Sequence, residues 1–88
     1  MEIKEISNGY VDMVEYGHME VIIEHDGEEY TLEFDTEEKP SDGYFDSVVF
    51  ATDESEEIAN EIGFVIDDDS SAELYHLWNI YSNENFGR

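Results

Sequence analysis

Two runs of alternating apolar and polar residues lie close together in the first half of the chain, at 18–25 and 28–35, with Asp26-Gly27 between them. Alternation with a period of two is typical of a strand that buries one face. An Asp-Gly pair between two such runs is typical of a type I′ turn, in which both central residues have positive φ. The pattern therefore predicts a tight β-hairpin over residues 18–35.

The two-residue turn also predicts which side chains face one another. One face of the hairpin is apolar and carries the pairs Ile23–Tyr30, Val21–Leu32 and Met19–Phe34. The other face carries the pairs Glu24–Glu29, Ile22–Thr31, Glu20–Glu33 and His18–Asp35. The two glutamate pairs place like charges directly opposite each other, which destabilises a ladder that opposite charges would stabilise. A sequence selected only for stability would place a Lys opposite one glutamate of each pair.

Two further strands are predicted, one on either side of the hairpin. Residues 10–16 alternate well enough to form a first strand that turns at Gly17, and residues 44–50 fit a fourth, more fully buried strand. With this assignment, apolar surface is expected on the outer face of the sheet at Val11, Met13 and Ile22. The oligomeric state is left open, with a homodimer as one option.

After residue 51 the apolar residues follow a helical period. Asp53 and Glu56 have the spacing of a capping box, and Gly63 is a natural residue to end the helix that they begin. This first helix is expected to bury Ile58, Ala59 and Ile62. Residues 64–66 are too few to assign, and form either a short strand or a buried connection.

A second helix is predicted to start within residues 67–73, where Ser70 and Glu73 form another capping box. Its apolar stripe, with the spacing i, i+3, i+4 and i+7, consists of Leu74, Leu77, Trp78 and Tyr81. The order β-β-β-β-α-α predicts a single α+β domain over residues 1–88. In it, an antiparallel sheet of about four strands carries two helices on one face.

The charge of the chain is strongly one-sided. Three basic residues, Lys4, Lys39 and Arg88, stand against 25 acidic ones, and the formal net charge is −22 over 88 residues. Neither 5–38 nor 40–87 contains Lys or Arg, so we expect no part of the fold to neutralise itself with internal ion pairs. Disordered acidic chains lack aromatic residues, whereas six Tyr, five Phe and one Trp can form a core here. Because self-repulsion of this size destabilises a compact state, a cause other than stability is expected.

The composition argues against several classes of function. The chain has no Cys, which removes disulfides, thiolate metal sites and cysteine nucleophiles and fits a cytoplasmic protein. The three His residues lack metal-ligand spacing, and no phosphate loop or nucleophile elbow is present. We therefore expect no enzyme, no metal site and no cofactor. An anionic membrane or a nucleic acid would repel the chain, and neither is expected as a direct partner.

Candidate binding residues fall into two acidic patches. The hairpin face supplies Glu20, Glu24, Glu29, Glu33 and Asp35. The predicted helices supply Glu54, Glu57, Glu61, Asp67 and Asp68. Acids at a helix start also stabilise the helix dipole, so Asp53, Glu56, Asp69 and Glu73 are assigned mainly to capping. No helix dipole stabilises the hairpin glutamates, which are therefore the strongest candidates for binding.

In size, charge and near absence of basic residues, the whole chain resembles the small acidic DNA-mimic proteins, many of them encoded by phages or plasmids. The resemblance is to a functional class, since no diagnostic motif ties the chain to one sequence family. It implies an inhibitor that fills the cationic groove of a nucleic-acid-binding protein, such as a nuclease, a CRISPR effector or a restriction enzyme. Anti-CRISPR or anti-restriction activity in a host-cell cytoplasm is the expectation that follows.

Other interpretations of the same sequence stay open. An immunity protein or antitoxin that neutralises a basic nuclease toxin would also be short and acidic, and would use aromatic anchors ringed by acids. Tyr75, Trp78 and Tyr81 could serve as such anchors, although Trp78 fits a core position equally well. Adaptation to high salt, or a generic solvated acidic surface, would also produce this charge.

Overall fold

The computed structural model describes residues 1–12, 16–39 and 43–87. Four strands are followed by two helices: β1 (Glu2–Asp12), β2 (Tyr16–His25), β3 (Glu28–Lys39), β4 (Tyr44–Phe50), α1 (Asp53–Ile62) and α2 (Asp68–Phe86). The strands form one antiparallel sheet in the order β1-β2-β3-β4. The predicted α+β arrangement is therefore confirmed.

The hairpin of β2 and β3 has the predicted turn and register. Asp26 and Gly27 have positive φ values of 52° and 79°, as a type I′ turn requires. The observed pairs include Glu24–Glu29, Val21–Leu32, Glu20–Glu33 and His18–Asp35. Because side chains alternate between the two faces of a strand, this register places the apolar and acidic residues on the faces expected.

The first strand differs from the prediction at both ends. It starts at Glu2, ends at Asp12 and contains two bulges, whereas Tyr16 and Gly17 belong to β2 and pair with β3. The bulges, between Ile3 and Glu5 and between Ile6 and Asn8, interrupt the period of two. Because of this interruption, the sequence pattern did not predict the first part of the strand. The bulges also allow Ile3 and Ile6, three positions apart, to pack on the core together. Residues 13–15, including Met13, lie outside the described residues.

The helix starts also differ from the predicted capping boxes. In α1 the N-cap is Thr52, whose hydroxyl accepts the Ser55 N–H at 3.0 Å. In α2 the N-cap is Asp67, whose carboxylate accepts the Ser70 N–H at 2.8 Å while the Ser70 hydroxyl accepts the Asp67 N–H at 2.9 Å. A serine at the third helical position therefore takes the place in which a glutamate was expected. Gly63 ends α1 in the left-handed conformation, with φ 79°, as predicted.

The core lies between the sheet and the two helices. It includes Met19, Val21, Ile23, Leu32 and Phe34 from the hairpin and Ala59, Ile62, Phe64, Leu74, Tyr75 and Trp78 from the helical half. Both helices pack on this face, α1 against β3 and β4 and α2 against β4 and β1. The stretch 64–66 is a connection that buries Phe64. Val11, expected on the outer face, packs against the core instead.

Trp78 is the largest fully buried side chain, and two glycines make room for it. A Cβ added at Gly9 would lie 2.7 Å from the Trp78 ring, and one at Gly17 would lie 3.7 Å from it. The indole N–H donates to the buried carboxylate of Glu38 at 3.1 Å. The helix α2 is thereby held against the backbone of β1 and β2. The opposite face of these strands points away from the helices.

Candidate acidic interface on the open face of the sheet

The face of the sheet opposite the helices, here called the open face, is not covered by any described element. Five rows of side chains cross neighbouring strands on this face, and two of them include Glu5 and Glu37. The three rows that carry the predicted binding acids are Glu2–Glu24–Glu29, Asn8–Glu20–Glu33 and Tyr10–His18–Asp35. All five hairpin acids predicted to bind a partner therefore lie on one surface.

The central row contains a directly opposed pair of carboxylates. Glu20 and Glu33 are directly paired across β2 and β3, and both side chains are partly buried. On the other side, Glu20 neighbours the uncharged Asn8. Directly opposite residues have Cβ atoms about 5 Å apart, so these carboxylates repel each other at short range. The arrangement holds two negative charges in fixed positions on a rigid sheet.

The row at the hairpin end is partly neutralised, contrary to the expectation that no internal ion pair forms. Lys4 Nζ lies 3.3 Å from a carboxylate oxygen of Glu24 and 3.8 Å from one of Glu2. The hydrogen bond and the charge of Glu24 raise the pKa of Lys4 above its ordinary value. This contact was missed because β1 was expected to begin after Lys4.

His18 occupies the middle of the third row and contacts two of the predicted binding acids. Its Nδ1 lies 3.0 Å from Asp35 and its Nε2 lies 3.4 Å from Glu33. The ring also stacks on Tyr10, with centroids 5.2 Å apart and planes at 20°. The predicted hairpin register pairs His18 with Asp35, whereas the contact with Glu33 is diagonal across the ladder and depends on the orientation of the imidazole ring.

The helical candidates lie elsewhere. Glu54, Glu57 and Glu61 are exposed on α1, which packs on the other face of the sheet and therefore presents them away from the open face. Asp67 is the N-cap of α2, and the hydrogen bond from the Ser70 backbone holds its pKa below the ordinary value. Asp68 lies in the first turn of the same helix. One flat partner surface can therefore face the hairpin acids or the α1 acids, but not both.

The aromatic residues suggested as anchors are mainly core. Trp78 and Tyr75 are buried, and Tyr81 is partly buried against the core. The open face instead exposes Tyr10 and Tyr16, whose exposed fractions are 55% and 52%. The signal for these two in the sequence was an acid within two residues of each tyrosine, Asp12 for Tyr10 and Glu15 for Tyr16. Reading it required the register of β1 and β2, which the bulges obscure.

Within residues 1–12, 16–39 and 43–87, no group of three or more His, Asp or Glu side chains is arranged to hold a metal ion. The described helices include none with the length and apolar character needed to span a membrane. Comparison with protein-family models, with curated proteins and with solved structures finds no match for the chain.

Proposed function

We propose that this chain is an inhibitory binding protein whose open face occupies the nucleic-acid-binding groove of a basic partner, such as a nuclease, a CRISPR effector or a restriction enzyme. The observation that carries the proposal is the directly opposed pair Glu20–Glu33 at the centre of an uncovered sheet face. Like charges in this position reduce the stability of the ladder. A basic partner would add cations opposite this pair, of which Glu33 is met within the chain by the imidazole of His18 at 3.4 Å.

The density of charge over the whole molecule also supports mimicry of a duplex. The molecule measures 35 × 21 × 21 Å along its principal axes and carries a formal net charge of −22. Double-stranded DNA carries one charge per about 1.7 Å of axis, so a duplex of the same length carries about 20 charges. A cationic groove that accommodates DNA would therefore meet a similar total charge over a similar length.

The mechanism follows from the fixed positions of the carboxylates. Long-range attraction between the acidic chain and a cationic groove would speed their encounter. Once bound, the open-face carboxylates would form ion pairs with the Lys and Arg side chains that otherwise contact phosphates. The sheet fixes the backbone that carries these carboxylates, whereas each glutamate side chain still loses rotamer freedom on binding. Inhibition would result from competition and would require no chemical step.

Charge reversal on the open face tests the proposal once a partner has been captured from host lysate at low salt. We expect Glu20→Lys with Glu33→Lys to weaken inhibition of that partner's nucleic-acid binding by at least about tenfold, since each reversal replaces an attraction with a repulsion. The matched control is Glu73→Lys with Glu84→Lys, which makes the same change in net charge on α2. Equal inhibition by the two double variants would remove the open face from the binding site.

A second candidate, an immunity protein or antitoxin, is favoured by the exposed Tyr10 and Tyr16 beside acids. The two functions predict different complexes. A mimic in the groove excludes nucleic acid from the partner, whereas an inhibitor bound outside the groove allows a complex of partner, nucleic acid and inhibitor. Native gel electrophoresis with labelled DNA and a catalytically inactive partner distinguishes them, because only the second function produces the ternary band.

A further inference from the structure

We infer that a recess at one end of the open face binds an arginine side chain of the basic partner. The recess has a volume of about 300 Å³ and is lined by Tyr10, Tyr16, Gly17, His18, Asp35 and Thr36. This volume is at the lower limit for ligand pockets, which suits a single side chain better than a larger molecule. The inference deepens the proposed function, since it takes from that function only that the partner is basic.

The chemistry of the lining favours a planar cation. Tyr10 and Tyr16 each expose about half of their surface, at 55% and 52%, and Asp35 exposes 57% of its side chain. A guanidinium group is attracted to the face of an aromatic ring and can make paired hydrogen bonds to a carboxylate. An ammonium group is a compact, strongly hydrated charge that gains less from stacking. Arginine therefore fits this combination of groups better than lysine does.

The Tyr10 side of the recess is held in shape before any partner arrives. Tyr10 is fixed by its stacking on His18, and His18 is fixed by its contacts with Asp35 and Glu33. Beneath the recess, the backbone of Gly17 lies close to the buried ring of Trp78. Preorganised aromatic groups bind at a lower entropic cost than mobile ones, and such anchors contribute much of the affinity of many interfaces.

The test uses N-acetyl-arginine amide as the probe and follows backbone amide shifts of the whole chain by NMR. We expect the largest shifts at residues 10, 16–18 and 35–36, weaker binding of N-acetyl-lysine amide, and no localised shifts with the citrulline analogue, which is uncharged. Tyr16→Leu should weaken arginine binding about 2- to 5-fold, the effect of losing one exposed cation–π contact, whereas Tyr16→Phe should retain it. Tyr44→Leu removes another exposed tyrosine, outside the recess lining, and should have no effect.

Either of two results would overturn the inference. One is that the arginine probe shifts amides beside acids on the open face and on α1 to the same extent. The other is that Tyr16→Leu binds the probe as the unaltered chain does. Asp35→Asn provides a second test if Tyr16→Leu perturbs the fold, and unchanged binding by this variant would also contradict the inference. The titration contains no nucleic-acid-binding protein, so its failure is distinct from failure of the competition assay that tests the proposed function.

Discussion

At the scale of single residues, the acids of this chain differ in what their backbone surroundings offer them. Asp67 accepts the N–H groups that the start of α2 leaves without a helical partner, and its charge stabilises the fold. Glu20 lies across from Glu33 on a neighbouring strand, and the peptide N–H of Glu33 donates to the hydroxyl of Ser55 at 2.9 Å and not to a carboxylate. The same functional group is therefore stabilising in one place and destabilising in the other.

The role of Asp67 predicts a specific dependence of stability on pH. Because its pKa is lowered in the folded chain, its contribution to stability is fully present above the ordinary pKa of aspartate and is lost as the pH falls through the folded value. We expect Asp67→Ala to lower the thermal midpoint at pH 7, and the difference from the unaltered chain to shrink as the pH falls through the acid range. Thermal unfolding followed by circular dichroism from pH 2 to 7 measures both effects. Asp68→Ala, one position later and not the cap, should change the acid range less.

The close approach of Gly9 to Trp78 leads to a second prediction, which concerns the stability of the fold. A Cβ there would lie 2.7 Å from the ring of Trp78 and 3.1 Å from the carbonyl oxygen of His18. The indole cannot easily yield, because it is buried and hydrogen-bonded to Glu38. We expect Gly9→Ala to lower the free energy of unfolding by about 1–3 kcal/mol, the usual cost of overpacking a core. Urea unfolding followed by the fluorescence of Trp78 measures it, and an effect no larger than that of Asn8→Ala, at the exposed neighbour, would contradict the prediction.

At the scale of secondary structure, a strand could be predicted from the sequence where its apolar and polar residues alternate without interruption. The β2–β3 hairpin keeps a period of two, with Ile22 as the exception, and has an Asp-Gly turn, so its pairs were predictable to the residue. β1 contains two bulges, which break that period, so its first eight residues, 2–9, were missed. The contact of Lys4 with Glu24 was missed for the same reason. The predicted capping box of Ser70 and Glu73 was wrong for a different reason. Asp67 and Ser70 have the same spacing three residues earlier, and they form the box that the structure shows.

The opposed acids of the hairpin predict that stability and binding respond in opposite directions to one substitution. Glu20→Lys places a cation opposite Glu33 and should stabilise the fold by about 0.2–1 kcal/mol, the usual range for cross-strand pairs. The same change should weaken binding to the basic partner. Urea unfolding and a binding titration measure the two effects, with Glu20→Gln as the control that removes the charge without adding a new one. A Glu20→Lys variant that is less stable than Glu20→Gln would show that repulsion from Glu33 does not shape this ladder.

At the scale of the whole molecule, the spatial extent of the charge decides how it can act. The acids lie on the open face, on α1 and at the start of α2, so the field surrounds the molecule although only one face can enter a groove. We therefore separate two effects of the charge. The total governs solubility and the rate of encounter, whereas the open-face carboxylates define the proposed binding surface. Position in the sheet, and not charge alone, distinguishes Glu20 and Glu33 from the acids of the helices.

The field of the whole molecule makes the last prediction, which concerns the isolated chain. The Debye length is about 30 Å at 0.01 M salt, 10 Å at 0.1 M and 3 Å at 1 M. The molecule is 35 Å long, so at the lowest salt nearly all of its acids repel one another, and at 0.1 M only near neighbours do. The thermal midpoint should therefore rise with salt, and most of the rise should occur below about 0.2 M. Sodium chloride and choline chloride should act equally if screening is the cause. A flat response from 0.01 to 1 M would show that self-repulsion is negligible, and a chain that folds only at molar salt would favour adaptation to high salt over mimicry.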